Sequence, residues 1–133
     1  MDEMIARHSK MTEAEVYNAH KKNLEILMMY DPTKVDNLSI HIQKQNTDAH
    51  RIKSRPISGT DTLAKILKKQ SVPLYVVWGE KDASVGAYLE DRMAILRSIN
   101  TDVHFHVQFQ TGHWIMYENE KVFNELLKKI IQD

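Results

Sequence analysis

The chain has 133 residues, 42% of them hydrophobic and 27% charged, which is the size and mix of one soluble globular domain. Its 18 basic residues balance 18 acidic ones, so no bulk field attracts nucleic acid or an anionic membrane surface, and the lack of cysteine excludes disulfides, thiolate metal sites and a cysteine nucleophile. No apolar run approaches the roughly 18–20 residues of a membrane span, and MDEMIARHSK lacks the apolar core of a signal peptide; the cytoplasm is the expected compartment.

Residues 1–11 are polar and unpatterned, a frayed lead-in. Thr12 and Glu15 then form a capping-box signature, and Val16, Ala19, Asn23, Leu24, Leu27 and Met28 recur at helical spacing, so a helix is expected from Thr12 to about Tyr30. Asp31-Pro32 stops it and starts a second helix carrying Val35, Leu38 and Ile42, which fades near Thr47. An αα-hairpin results. The basic loop RIKSRPISGT leads to a short helix through Leu63, Ile66 and Leu67. After Pro73 the period changes: Leu74 to Trp78 is a continuous apolar run, as in a parallel strand buried on both faces. An amphipathic segment from Gly86 to Ile99 follows. Val103, Phe105, Val107 and Phe109 then alternate with His104, His106 and Gln108, which marks a strand with one packed and one polar face. A helix from about Asn119 closes the chain.

Strand, crossover helix and strand make a βαβ unit, which forces the two strands parallel and puts their C-terminal ends on one edge of the sheet. Asp82 follows Trp78 by four residues and His113 follows Phe109 by four. Both therefore sit just beyond a strand end, where open α/β sheets carry their sites. An aspartate bonded to one imidazole nitrogen sets the tautomer and stabilises the imidazolium, leaving the other nitrogen to accept a proton from a hydroxyl or water. Taken alone, Asp82 is as readily a turn residue, and His113 as readily a structural histidine.

These residues carry a resemblance to the α/β-hydrolase fold family. Trp78-Gly79-Glu80-Lys81-Asp82 is similar to that family's late strand ending in W-G-x-x-D, and Gly112-His113 to its G-H near a terminal helix; the match covers Val72 to Asp133. The run GHWIMYENEKVFNELL, with Trp114, Glu118 and Phe123, resembles the members that hydrolyse carbon-carbon bonds in ring-fission products. The resemblance implies an α/β fold: residues 1–70 would be a helical cap or lid with its connecting helix, and residues 71–133 the C-terminal βαβα part of the hydrolase core. It implies that Asp82 is the acid and His113 the base of a nucleophile–His–Asp triad acting on an ester-like or carbon-carbon bond of a small molecule. An imidazole acts as base only when neutral, so activity is expected to fall at acid pH.

The nucleophile is missing from the pattern. None of Ser9, Ser39, Ser54, Ser58, Ser71, Ser84 or Ser98 stands between glycines in the G-x-S-x-G manner of this family. The chain is therefore expected to be the C-terminal portion of a hydrolase, inactive alone, that pairs with an absent N-terminal half or self-associates, because a long apolar strand needs neighbours on both sides. The alternative is a non-catalytic, hydrolase-derived interaction module.

Other candidates are weaker. Trp114, directly after the base, is a candidate border of a substrate pocket. Arg51 and Arg55, with Lys53, are either a solvated basic loop or, in a cap, a grip for a substrate carboxylate. His104 and His106 share a strand face without a third ligand, so no metal is expected. His8, His20, His41 and His50 read as solvated, and four glycines supply neither a Walker loop nor a dinucleotide fingerprint, so no cofactor is expected.

Overall fold

The computed structural model describes residues 2–132, apart from the side chain of Arg55. The architecture is mixed α/β: helices α1 (Glu13–Leu27), α2 (Asn37–Asp48), α3 (Arg55–Ser58) and α4 (Thr62–Leu67), then strand β1 (Leu74–Gly79), α5 (Leu89–Ile99), β2 (Val103–Gln108), α6 (Ile115–Glu118) and α7 (Glu120–Gln132). β1 and β2 pair in parallel from Leu74 opposite Val103 to Gly79 opposite Gln108, with α5 as the crossover, as the pattern predicts. Among the described residues no helix is long and apolar enough to cross a membrane.

The hairpin forms where local chemistry directs it. Thr12 accepts from the Glu15 N–H while the Glu15 carboxylate accepts from the Thr12 N–H at 2.7 Å, the reciprocal bonds of a capping box. The second helix departs from expectation. Asp31 caps only a single 3-10 turn, Pro32–Lys34, and α2 starts at Asn37 behind a second capping pair, Asp36 with Ser39. Val35 lies in the link between them and is buried with Leu24, Met29 and Ile40, so it fills the hairpin core from a loop and not from a helix stripe. The first helix stops at Leu27, and the Met28 carbonyl, whose helical donor would be the N–H that Pro32 lacks, accepts instead from the Trp114 N–H at 2.8 Å.

Two further expectations are corrected here. Residues 2–11 form no helix or strand but are not frayed: the Asn23 side chain exchanges two hydrogen bonds with the Ile5 backbone, at 2.7 and 2.9 Å, and Arg7 pairs with Asp48 at 2.8 Å. The hydrogen bond from Lys44, then that from Arg7, holds the Asp48 carboxyl down to about 2. His20 is buried, not solvated, with its Nε2 unpaired; burial, then the nearby Arg7 charge, keeps it below the usual imidazole range.

The sheet is less enclosed than its composition suggests. Leu74 to Trp78 are half-buried, and only Gly79 of β1 is buried. The expected alternation in β2 breaks: Val107 is 44% exposed and Phe109 67%, while His106 is half-buried. α7 buries no residue despite its strongly one-sided apolar pattern, and Ile131 is 75% exposed. A cleft lined by Val77, Phe105, Val107, Val122 and Leu126 separates α7 from the sheet.

Candidate active site

Asp82 and His113 meet beyond the ends of β1 and β2, with Asp82 Oδ2 2.8 Å from His113 Nδ1. The strands end in register, Gly79 opposite Gln108, and the chain beyond them is stitched across: Glu80 donates to the Gln108 carbonyl and Lys81 to that of Thr111, both at 2.9 Å. Gln110, with a positive φ of 49°, donates its N–H to the Glu80 carboxylate at 3.0 Å and turns the second loop toward the first.

The two motif glycines are there because backbone passes where a Cβ would stand. A Cβ on Gly79 would collide with the carbonyls of Thr111 and Gly112, and one on Gly112 would lie 2.7 Å from the Tyr30 N and 2.8 Å from the Met28 O. Gly79 thus brings the histidine loop onto the strand end, and Gly112 brings it onto the end of the hairpin. Neither position tolerates a side chain without backbone movement.

The electrostatics of the pair are asymmetric. The Asp82 side chain is 3% exposed and the His113 side chain 45%, so the carboxylate is sheltered and the ring reaches solvent. Burial alone raises the Asp82 pKa, but hydrogen bonds from the Ser84 hydroxyl, from His113 and from the Ser84 N–H outweigh it, and the carboxyl ends below its usual range. An ionised carboxylate only accepts, so the proton between the two groups sits on Nδ1, and Nε2 is the nitrogen left to act as base. Among the described residues nothing hydrogen-bonds to Nε2.

Ser84 is an unforeseen member of the site. Its N–H and hydroxyl both donate to Asp82 Oδ1, at 2.8 and 2.7 Å, in the local turn that Asp-x-Ser favours. Its Oγ is 3.3 Å from His113 Nδ1, on the side of the ring that faces Asp82. It therefore occupies no nucleophile position, since its proton is committed to the carboxylate and the basic nitrogen points away.

The remaining candidates do not converge on the pair. Trp114 packs against the Leu24–Met29–Val35–Ile40 cluster, 6.0 Å from the Tyr117 ring, so its ring anchors the histidine loop to the hairpin. Arg51 is exposed in the loop after α2 and makes no hydrogen bond or ion pair with Asp82 or His113; the Arg55 side chain lies outside the described residues. His104 stacks on Tyr75 at 4.6 Å and lies 3.4 Å from Asp102, and among the described residues no group of three or more metal-ligating side chains converges.

Beneath the pair runs a continuous set of ties to the hairpin. Tyr117 donates to Asp36 Oδ1 at 2.6 Å; burial and then this carboxylate push the phenol up to about 12. Glu118 is buried, its oxygens accepting from the N–H groups of Asp31 and Gly112, both at 2.6 Å. The hairpin core is thus completed by residues that follow His113. No protein-family model matches this chain, and no curated protein matches it.

Proposed function

We propose that the chain is the C-terminal portion of an α/β-hydrolase-type enzyme, supplying the acid and the base of a nucleophile–His–Asp triad whose nucleophile is carried by other polypeptide. The observation that carries this reading is the 2.8 Å Asp82–His113 contact beyond two parallel strand ends, with the carboxylate sheltered and Nε2 unoccupied. In the reaction, His113 Nε2 takes the proton of an attacking hydroxyl, Asp82 stabilises the imidazolium, and the same nitrogen returns the proton to the leaving group. The substrate class is an ester-like or carbon-carbon bond.

The exposed surface supports a requirement for further polypeptide. The chain exposes 9858 Å², whereas a compact monomer of its 15.5 kDa exposes about 7,200 Å². The difference, about 2,700 Å², is slightly more than one partner's half of a large obligate interface, which buries roughly 2,000–5,000 Å² in total. The open side of the sheet and α7 are where that partner belongs.

The same exposed surface favours a second reading, a non-catalytic module that uses it for binding alone. Coding sequence upstream of Met1 separates the two. If it encodes a G-x-S-x-G elbow, the joined polypeptide should hydrolyse small esters and lose at least about a thousandfold in kcat on His113→Ala. Unchanged activity in that variant would overturn the catalytic assignment. A coding sequence without the elbow would leave the binding module.

A further inference from the structure

We infer that Glu118 is a positioning residue for the base: its buried carboxylate clamps the backbone on both sides of the contact between the hairpin turn and the histidine loop. This rests on the proposed role of His113 and adds to it a residue outside the triad.

Glu118 is 5% exposed, and among the described residues no cationic side chain is bonded to it. A buried carboxylate without a cation persists only where donors satisfy its oxygens. Here each oxygen accepts one backbone N–H at 2.6 Å, from Asp31 in the turn that leaves α1 and from Gly112 immediately before His113. These are short, charge-assisted bonds. Both donors come from loops, so neither has a helix or sheet partner to fall back on.

Three backbone contacts from Thr111 to Trp114 hold the loop on either side of the base. Thr111 accepts from Lys81 at 2.9 Å, Gly112 donates to Glu118 at 2.6 Å, and Trp114 donates to Met28 at 2.8 Å. His113 is the residue between the last two anchors, and among the described residues its ring is bonded only toward Asp82 and Ser84. Loss of the Glu118 anchor frees the peptide that sets where the imidazole starts, while Asp82 stays fixed by Ser84. The Nδ1–Oδ2 contact is then the geometry that loosens.

The test uses the full 133-residue chain and needs no turnover, so it stands apart from the hydrolase reading. In Glu118→Ala, amide exchange at Gly112 and Asp31 should rise by roughly tenfold, the effect of losing one such bond, and the His113 Nδ1 proton seen by NMR should broaden through faster exchange. Glu118→Gln retains one acceptor and turns an NH2 toward the other N–H, so one of the two amides should keep its protection and the Nδ1 proton should lie between the two forms. Tyr117→Phe removes the hydrogen bond from Tyr117 to Asp36 of the hairpin and should lower stability without moving the Nδ1 proton. If Glu118→Ala fails to fold, Glu118→Gln decides. An Nδ1 proton unchanged in the folded Glu118 variants, or moved as far by Tyr117→Phe, would overturn the assignment. A clamp that passes this test in a joined enzyme without His113-dependent turnover would sink the hydrolase reading alone.

Discussion

The two ends of this molecule are built to different standards. Around the hairpin, Leu24 is fully buried, Ala19, Met29, Ile40 and Ile115 are nearly so, and even polar groups such as Ser39, Thr111 and Glu118 are enclosed with partners. Across the sheet, no residue of α7 is fully buried, and Val107, Phe109 and Ile131 face solvent. The candidate acid–base pair belongs to the first end. Packing, close backbone approach at Gly79 and Gly112, and buried hydrogen bonds hold Asp82 and His113 together, whereas the surface that would receive a nucleophile-bearing partner is left open. Under the proposed function, this chain would preorganise one side of the site and a second polypeptide would complete the other.

That contrast is most easily broken by substitutions that treat the two ends alike. Leu24→Ala should cost about 2–5 kcal/mol of stability by leaving a cavity in the hairpin core, read as a fall in the urea midpoint. A loss under about 1 kcal/mol would mean that this end is as loose as the other.

Next in size is Asp82→Asn, which removes a carboxylate holding three donors and should cost about 1.5–3 kcal/mol at neutral pH. The sign of its pH dependence follows from the lowered Asp82 pKa. The folded carboxyl binds protons less readily than the unfolded one, so its stabilisation is full above the unfolded value of about 3.9 and fades as pH falls through the folded value. The gap between the parent chain and Asp82→Asn should therefore hold from pH 7 to about 5 and narrow below about 4 in acid denaturation series.

Smallest is Ile131→Ser. At a position 75% exposed it should change the stability of the isolated chain by less than about 0.5 kcal/mol. It should nevertheless weaken assembly with a docked partner, measured by sedimentation of the joined or mixed polypeptides. A large effect on the isolated chain would show that α7 is packed in solution and would erase the distinction between the two ends.

The sequence discloses the strands and the pair because their signals are local. A β-branched run, a following Asp, an alternating run and a following His are each complete within about ten residues. The start of α2 is hidden in the sequence because Asp31-Pro32 offers a strong start signal six residues upstream of Asn37, while the pair that caps the helix, Asp36 with Ser39, is weaker in sequence. His20 lies four residues after Val16 and four before Leu24, on the buried stripe, and its residue type alone suggested solvent. Glu118 could not be placed from pattern, since one of its donors is 87 residues away. Ser84 was within reach: Asp-x-Ser is a turn signature in which the hydroxyl returns to the carboxylate. The exposed sheet lay beyond reach, because an apolar strand reports what it needs to bury and not whether this chain supplies the cover.

The protonation of one ring tests the proposed acid–base pairing most directly. In the full chain near neutral pH, 15N shifts of the His113 imidazole should show the proton on Nδ1 and a bare Nε2, with the preference lost in Asp82→Asn. A ring protonated on Nε2 and indifferent to Asp82→Asn would contradict it.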